Sequence, residues 1–287
     1  MGREKGRSRF RLLERKLIKK IGKDFMKSIL FQANAKINLY LKILRKRSDG
    51  FHQIESIFQS IDLSDFLIFE KSKKDSLTGA VICPESQNII FKAKKILEKT
   101  LNKKLPCRIH LQKTIPIAAG LGGGSADAAA TLMALNLLYN LNLSRKKLVE
   151  IGVKIGADVP FFFYGGTCKV GGIGEIVTPV RQRIPKFFVI FRPHKRIETK
   201  KMYELYDKTG KNFLELAREI YPEIKKLEKY LKNFCPKKFG LSGSGPTMFC
   251  GVNNYKLAQK IAEGYRNFNG DIFICRPQSK ALDIIKI

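Results

Sequence analysis

The stretch PIAAGLGGGSADAAA (residues 116–130) restricts the fold most, because four glycines fall within five positions directly before a helical run. Glycine loses more conformational freedom on folding than any other residue, so this cluster would weaken any regular element that contained it. The preceding segment CRIHLQK (107–113) alternates as a strand does, and the residues from Ser125 onward predict a helix over 125–140. We therefore expect a strand, a glycine turn and a helix N-terminus in direct succession.

This succession favours the binding of a phosphate chain. The N-terminus of a helix carries unpaired backbone N–H groups and the positive end of the helix dipole, and glycines let an anion approach that backbone closely. The Walker A loop requires a lysine that is missing after these glycines, and the dinucleotide pattern G-x-G-x-x-G, started at Gly120, fails at Ser125. We predict a phosphate site of another kind, in which Ser125 caps the helix and offers its hydroxyl group.

Asp127 lies in the first turn of the predicted helix, where two roles are open. A carboxylate at this place complements the helix dipole. Beside a bound triphosphate it would be repelled unless it met the Mg²⁺ that accompanies the nucleotide. The residues that hold the adenine are open as well, although Asn88 and Lys113 lie near the loop in chain order.

The composition bounds the class of protein. With 44% hydrophobic residues, the 287-residue chain can bury a sizeable core in one or two domains, and no apolar run approaches the roughly 18 residues of a membrane span. We expect a cytoplasmic protein without a membrane span, and the sequence leaves monomer and homodimer open. Six cysteines without a C-x-x-C pair and three scattered histidines argue against a disulfide framework and against a zinc site.

The formal net charge of +30 has two interpretations. It could attract nucleic acid or an anionic membrane surface. Alternatively, it reflects solvated lysines spread over the surface, which we favour because basic residues occur throughout and no aromatic-flanked RNA-binding pattern accompanies them. Residues 1–25 are basic and amphipathic, and they are either a membrane-surface or targeting helix or a dispensable extension that can be disordered. We favour the extension.

Two blocks follow residues 1–25. Strand-like segments with a turn signal at SDG (48–50) lie between 28 and 70, and helical periodicity covers 88–101 and 144–155. The second block is expected to contain a strand from 187, a mostly helical stretch over 199–234, a glycine-broken hairpin over 238–252, a helix over 255–267 and a closing strand over 271–277. This β-α-β-β-α-β order predicts a split-βαβ sandwich with helices on one face.

Three sets of motifs in a fixed order resemble the galactokinase–homoserine kinase–mevalonate kinase–phosphomevalonate kinase (GHMP) superfamily, and most closely its 4-diphosphocytidyl-2-C-methyl-D-erythritol kinase branch. They are AKINLYL (35–41) with DGFH (49–52), then GLGGGSADAA (120–129) with GADVPFF (156–162) and GGIGEIVTPV (171–180), and finally LSGSGPTMF (241–249). The resemblance implies an α+β fold of two domains with the active site in the cleft between them. An N-terminal ATP-binding α/β domain would cover 26–182, and a C-terminal split-βαβ (ferredoxin-like) sandwich would cover 183–287.

The resemblance also implies an activity and two catalytic residues. An enzyme of this kind uses ATP and Mg²⁺ to phosphorylate the C2 hydroxyl of 4-diphosphocytidyl-2-C-methyl-D-erythritol, giving the 2-phosphate and ADP, in the non-mevalonate synthesis of isoprenoid precursors. Asp158, in GADVP, corresponds to the base that takes the hydroxyl proton, and Lys36, in AKIN, corresponds to its partner. The pairing is physically sound, because a positioned carboxylate supplies general-base help and a cation offsets charge on the transferring phosphoryl group.

Binding residues are implied at the matching positions. The phosphates of ATP would be bound by Pro116, Ala119, Gly120, Leu121, Gly122, Gly123, Gly124, Ser125 and Ala126. The substrate would be bound by Asn38, Phe51, His52, Thr199, Tyr203, Gly243, Ser244 and Gly245. Within this set, Phe51 and Tyr203 would sandwich the cytosine ring and His52 would bond to its edge. Mg²⁺ would lie near Ser125 or Asp127, without a defined ligand set.

Two alternatives to this function are retained. Another GHMP kinase, acting on mevalonate, homoserine or a sugar, would share the glycine loop but has less use for DGFH and GADVP together. A nucleic-acid-binding protein would explain the charge of +30 but leaves the glycine loop, Lys36 and Asp158 without a role. We expect a small-molecule substrate and no obligate nucleic acid.

Overall fold

A computed structural model describes residues 28–80, 83–195, 198–235 and 238–285 of the chain. The predictions for residues 1–25 lie outside the described residues. No helix among the described residues is long and apolar enough to cross a membrane.

The first sheet is built around one long β-hairpin. Its arms are β1 (Ser28–Lys46) and β2 (His52–Lys71), and the predicted turn at 48–50 joins them. The sheet order is β11-β1-β2-β4-β3, while β5 pairs with another part of β2 and β6 pairs with β5. The remaining strands are β3 (Ser76–Gly79), β4 (Cys107–Gln112), β5 (Thr167–Gly171), β6 (Ile176–Pro179) and β11 (Leu282–Ile285). Strand β11, which was not predicted, follows the second block in the chain and pairs antiparallel with β1.

The first three helices of this block follow the predicted order, and the short fourth one is not predicted. The helices are α1 (Ile89–Leu101), α2 (Gly123–Leu138), α3 (Arg145–Val153) and the short α4 (Val159–Phe162), and a 3₁₀ turn (Glu85–Gln87) precedes α1. Ser144 caps α3, because its side chain accepts a hydrogen bond from the amide of Lys147. The predicted cap at Ser125 is wrong. Gly122, with a φ of 72°, is the N-cap, so Ser125 is the third residue of α2.

The second sheet has the order β10-β7-β9-β8 and is antiparallel throughout. This is the strand order of a split-βαβ sandwich, as predicted. Its strands are β7 (Phe187–Pro193), β8 (Phe239–Leu241), β9 (Met248–Val252) and β10 (Gly270–Cys275). Its helices are α5 (Thr199–Thr209), α6 (Phe213–Ile220), α7 (Pro222–Lys232) and α8 (Tyr255–Glu263).

The helical stretch predicted over 199–234 is divided into three helices for local reasons. Gly210 ends α5 in the left-handed region, with a φ of 68°. Asn212 and Glu215 form a capping box that starts α6, and Pro222 takes the first position of α7.

Strand β7 joins the two blocks through its alternating side chains. Val189 and Phe191 pack into the core that the second sheet forms with its helices, whereas Phe188 and Ile190 pack with residues of the first block. Both faces of the strand are therefore buried, which explains the unbroken apolar run FFVIF. The resulting contact holds the two blocks face to face.

One cysteine prediction is wrong. Cys235, beyond the end of α7, and Cys250, on β9, form a disulfide bond with their Cα atoms 6.4 Å apart. They are separated by 15 residues in a pattern without a recognisable spacing, and the tertiary fold brings them together. The other described cysteines are free.

Candidate functional site

A cavity of about 860 Å³ lies between the two blocks and is lined by residues from all three sets of motifs. Most of the predicted site residues line it: Lys36, Asn38, Phe51, His52, Pro116, Ala119, Gly120, Gly122, Gly123, Gly124, Ser125, Asp127, Asp158, Thr199, Tyr203, Gly243 and Ser244. Asn88 and Lys113, which the sequence places near the loop, line it as well. The fold thus brings distant segments of the chain to one concave surface.

Three predicted binding residues do not line the cavity, because their polar backbone groups serve the protein itself. The carbonyl of Leu121 accepts a hydrogen bond from the amide of Lys36 at 2.9 Å. The amide of Ala126 donates to the carbonyl of Gly122 at 2.9 Å, which is the first bond of α2. The amide of Gly245 donates to the carbonyl of Ser242 at 3.0 Å. These residues shape the loops that carry the site.

Lys36 and Asp158 form an ion pair in the cavity. The Nζ atom of Lys36 lies 3.1 Å from Oδ2 of Asp158, and it also donates to Oδ1 of Asn38 at 2.7 Å. The same ammonium group lies 4.5 Å from the centre of the Phe58 ring. The side chain of Lys36 is 3% exposed and that of Asp158 is 32% exposed, so the carboxylate is the member of the pair that can meet a ligand.

The local fold explains why Lys36 points into the cavity. Bulges in the pairing of β1 with β2 lie between Asn34 and Ala35 and between Asn38 and Tyr40, on either side of Lys36. A bulge bends its strand and re-aims the side chains beside it. Asp158 directly precedes α4, so its position depends on where that helix starts.

Three of the four loop glycines are required by packing within the protein. Gly120 and Gly122 have φ values of 77° and 72°, which favour glycine. A Cβ at Gly120 would collide with the carbonyl oxygen of Ser242, and one at Gly122 would lie 2.9 Å from Cγ of Lys36. A Cβ at Gly123 would lie 2.8 Å from Cγ2 of Ile115. These glycines therefore let the loop fit against the other two segments of the site.

Gly124 differs from its neighbours. A Cβ there would lie 3.6 Å from Cγ2 of Ile89, the nearest described atom outside its own helix backbone, and this is an ordinary contact distance. The first hydrogen bond of α2 runs from the amide of Ala126, so the amides of Gly123, Gly124 and Ser125 have no acceptor within the helix. Together with the dipole of a helix of 16 residues, they form an anion-binding site that opens into the cavity.

A buried cluster of three charges, which the sequence analysis did not identify, lies below this helix N-terminus. The Nζ atom of Lys113 lies 2.6 Å from Oδ2 of Asp65 and 2.6 Å from Oδ2 of Asp127. The other carboxylate oxygen of Asp65, Oδ1, accepts hydrogen bonds from the amides of Thr114 and Ile115. By contrast, Oδ1 of Asp127 is buried without a hydrogen-bond partner among the described residues. Burial raises the pKa of Asp127 to about 7, the nearby charge of Asp65 adds to this rise, and the ammonium group of Lys113 opposes it.

We expect this cluster to make stability depend on pH. Between the ordinary pKa of 3.8 and the raised value of about 7, the folded chain holds a proton on Asp127 that the unfolded chain has released. The group therefore removes stability as the pH rises through this range. Asp127→Asn is neutral at every pH and lacks this loss of stability. The melting temperature of Asp127→Asn minus that of the wild type should therefore be larger at about pH 7.5 than at about pH 5.

Thermal unfolding at both pH values measures this effect. The matched control is Asp283→Asn, which neutralises an exposed carboxylate paired with Lys280 and should follow the wild type. Parallel curves for Asp127→Asn and the wild type would show that the pKa of Asp127 is not raised in the folded protein.

An aromatic and charged cluster around His52 forms another part of the cavity wall. Its Nε2 atom lies 2.6 Å from Oδ1 of Asp207, and Oδ2 of Asp207 accepts a hydrogen bond from Lys46 at 2.5 Å. The ring of Tyr203 stacks on that of His52, with centroids 4.8 Å apart. Tyr203 thus faces His52 in this structure, whereas Phe51 is 57% exposed. A cytosine sandwiched by Phe51 and Tyr203, as predicted, would need a face of the Tyr203 ring that the imidazole does not cover.

The third set of motifs ties the other two together. The hydroxyl of Ser242 donates to the carbonyl of Gly120 at 2.8 Å and accepts the amide of Asn38 at 3.3 Å. The hydroxyls of Thr199 and Ser244 are 2.9 Å apart, which links α5 to the same loop. Ser242 was not predicted as a site residue, although it lies within the motif LSGSGPTMF. Asp207 and Lys46 were not predicted either, because they lie outside the motifs.

Two side chains at the N-terminal end of α2 could hold Mg²⁺. No group of three or more histidine, cysteine or acidic side chains that could hold a metal ion occurs in the described ranges. Mg²⁺ usually takes one or two protein oxygens and completes its shell with phosphate oxygens and water. The hydroxyl of Ser125, on the cavity wall, and the unpartnered Oδ1 of Asp127 fit such a partial site.

Known proteins are similar to this sequence over most of its length. Residues 88–166 match the family described as GHMP kinases N terminal domain. A protein of Carboxydothermus hydrogenoformans named 4-diphosphocytidyl-2-C-methyl-D-erythritol kinase is 39% identical, covering 90% of this chain and 100% of that protein. A protein of the same name from Thermodesulfovibrio yellowstonii is 37% identical, covering 83% of this chain and 94% of that protein.

Solved structures are similar as well. A crystal structure of 4-(cytidine 5'-diphospho)-2C-methyl-D-erythritol kinase has a TM-score of 0.72 and 27% identity, covering 86% of this chain and 98% of that one. A homoserine kinase from Cytophaga hutchinsonii has a TM-score of 0.70 at 19% identity, covering 92% of this chain and 99% of that one, and this likeness shows the fold alone. The two-domain GHMP kinase fold predicted from the motifs is confirmed.

Proposed function

The chain belongs to the 4-diphosphocytidyl-2-C-methyl-D-erythritol kinase family, and we propose that it transfers the γ-phosphoryl group of ATP to the C2 hydroxyl of 4-diphosphocytidyl-2-C-methyl-D-erythritol. The products are ADP and the 2-phosphate. The observation that carries this proposal is the Lys36–Asp158 pair, which lies in the same cavity as the open N-terminus of α2.

Each member of the pair has a chemical task in this proposal. Asp158 accepts the proton of the C2 hydroxyl as the oxygen attacks phosphorus, since its carboxylate is the exposed member of the pair. Lys36 keeps that carboxylate in place, and its ammonium group offsets negative charge at the transferring phosphoryl. Asn38 fixes the ammonium group from the other side. Phosphoryl transfer needs little beyond this positioning and charge compensation.

ATP is the phosphoryl donor, and we propose that its phosphates lie against the amides of Gly123, Gly124 and Ser125. The support is that these amides have no acceptor within the helix and face a cavity wall with room for an anion. Mg²⁺, when bound, neutralises charge on the phosphates, and Ser125 with Oδ1 of Asp127 would be its protein ligands. The cytidine diphosphate end of the substrate would lie beside His52, Phe51 and Thr199, which line the same cavity.

The phosphate site predicts opposite results for two neighbouring substitutions. Gly124→Ala adds a methyl group where the protein leaves room, so it should raise helix stability by up to about 1 kcal/mol while blocking the phosphate. We expect its affinity for Mg-ATP to fall about tenfold or more, measured by isothermal titration calorimetry. Gly123→Ala places its methyl group 2.8 Å from Cγ2 of Ile115 and should lower the melting temperature instead. Unchanged ATP affinity in Gly124→Ala would remove the phosphates from this helix end.

The acceptor is tested by ADP release from Mg-ATP. The purified chain is given 4-diphosphocytidyl-2-C-methyl-D-erythritol, mevalonate or homoserine in parallel reactions. We expect ADP release that depends on the cytidylyl compound alone. Turnover with mevalonate or homoserine in its place would assign the chain to another GHMP activity, and steeply salt-dependent binding of nucleic acid without any turnover would favour a nucleic-acid-binding role.

Location and assembly are part of the proposal. We propose that the enzyme acts in the cytoplasm, where ATP is available, and that it works as a monomer or homodimer. One chain contributes every residue named at the site, which supports function without a second subunit. Size-exclusion chromatography at working concentration distinguishes the two assemblies.

A further inference from the structure

His52 is held by two residues of one helix from the second block. Tyr203 and Asp207 are four residues apart on α5, so they lie on the same helix face. Tyr203 covers one face of the imidazole ring, with the planes inclined by 23°, and Asp207 engages Nε2. The side chain of His52 is 5% exposed. Its orientation is therefore set from across the cavity, and little freedom is left for the ring to turn.

The carboxylate of Asp207 determines which ring nitrogen carries the proton. Hydrogen bonds from Lys46 and then from His52 lower the pKa of Asp207, so this group is ionised. An ionised carboxylate accepts hydrogen bonds and cannot donate one. The proton between Nε2 and Oδ1 consequently belongs to the imidazole. When the imidazole carries one proton, that proton is therefore on Nε2.

A neutral imidazole with its proton on Nε2 has a bare Nδ1, which is a hydrogen-bond acceptor. With Nε2 engaged by Asp207, Nδ1 is the nitrogen that can meet a ligand in the cavity. Cytosine and uracil differ at two neighbouring edge positions: cytosine carries an amino donor at C4 and a bare N3, whereas uracil carries a carbonyl acceptor at C4 and an N3–H donor. A bare Nδ1 that meets position 4 of the base bonds to the amino group of cytosine and opposes the carbonyl group of uracil.

We propose that Asp207 is a positioning residue that makes the site select cytosine over uracil. It does so by holding the proton of His52 on Nε2, so that Nδ1 accepts the amino group of cytosine. The proposal rests on the proposed function, which places the cytidine end of the substrate beside His52. It adds a residue and a reason for base selection that the motifs themselves do not contain.

Binding of two probes tests the proposal. Cytidine diphosphate and uridine diphosphate are titrated into the wild type and into Asp207→Asn by isothermal titration calorimetry. An asparagine can accept from or donate to Nε2, so the tautomer is no longer fixed. The wild type should prefer cytidine diphosphate, and Asp207→Asn should lose that preference about tenfold or more. An unchanged ratio of affinities in Asp207→Asn would overturn the proposal.

A matched control is available in the same chain. His194 and Asp271 form a second histidine–aspartate pair, with Nε2 and Oδ1 3.5 Å apart, and neither residue lines the cavity. Asp271→Asn removes the same charge from the same kind of pair and should leave the ratio of affinities as in the wild type. A loss of preference in Asp271→Asn equal to that in Asp207→Asn would assign the effect to general charge or stability and overturn the proposal.

Nitrogen NMR gives a second test, in which the tautomer of His52 is determined in the wild type itself. The chain has three histidines, and His52 is assigned by comparison with His52→Gln. The expected spectrum shows a protonated Nε2 and a bare Nδ1 at His52. A proton on Nδ1 would overturn the proposal, even in an active enzyme. Failure of the proposed function would appear differently, as a folded wild type with this tautomer that neither binds cytidine diphosphate nor releases ADP with the cytidylyl acceptor.

Discussion

Asp158→Asn should reduce kcat by about a thousandfold or more while leaving the affinity for Mg-ATP nearly unchanged. The amide has the shape of the carboxylate but cannot take a proton from the acceptor hydroxyl. Lys36 keeps its bond to Asn38 in this variant, so the cavity should hold its form. Steady-state ADP release gives kcat, and titration calorimetry gives the ATP affinity.

The control for this substitution is Glu204→Gln. Glu204 is another acidic residue on the cavity wall, and it is not part of the Lys36–Asp158 pair. We expect turnover close to that of the wild type. If Asp158→Asn turned over at the wild-type rate, Asp158 would have no part in proton transfer, and the loss of both activity and ATP binding would make its role structural.

Gly120→Ala should produce the second large effect, a loss of folding stability of about 3 kcal/mol or more. The substitution adds two costs. A residue with a Cβ is strained at a φ of 77°, and the new Cβ collides with the carbonyl oxygen of Ser242. Since this contact joins the phosphate loop to the third set of motifs, the melting temperature and the ATP affinity should fall together.

Gly210→Ala separates these two costs. Gly210 has a φ of 68°, close to that of Gly120, but a Cβ there meets no described atom within 4 Å. It should lose about 1–2 kcal/mol from backbone strain alone, and its ATP affinity should not change. Chemical denaturation of both variants gives the difference. Equal losses at Gly120 and Gly210 would mean that the collision with Ser242 is relieved at no cost.

The sequence predicts the elements of this fold well, because each has a local cause. The helix over 88–101, the turn at 48–50 and the strand order of the second block follow from periodicity and glycine placement, and all are confirmed. Predictions from local patterns are wrong where tertiary structure determines the start of an element. Ser125 has the chemistry of an N-cap, but the left-handed turn at Gly122 starts the helix earlier.

Some residues of the candidate site could be predicted from motifs, whereas the positions of others depend on the tertiary structure. Lys36 and Asp158 could be named from their motifs, although their 3.1 Å separation depends on bulges in β1 and on the start of α4. Lys113 could be placed near the glycine loop from its position in the chain. Its two carboxylate partners could not be predicted, because they lie on β2 and α2. Asp207 has no motif around it and becomes visible once α5 is placed against the hairpin. The disulfide between Cys235 and Cys250 is equally a product of tertiary structure.

Phosphorus NMR of the reaction product tests the central claim most directly. In 2-C-methylerythritol the second carbon carries the methyl group and no hydrogen, so a phosphate on its hydroxyl has no proton three bonds away. With Mg-ATP and 4-diphosphocytidyl-2-C-methyl-D-erythritol, the account predicts one new phosphomonoester signal that is not split by such a proton, in equal amount to the ADP formed. A new signal split by neighbouring protons would place the phosphate on another hydroxyl. No phosphomonoester at all, in a folded chain that binds ATP, would contradict the proposed reaction.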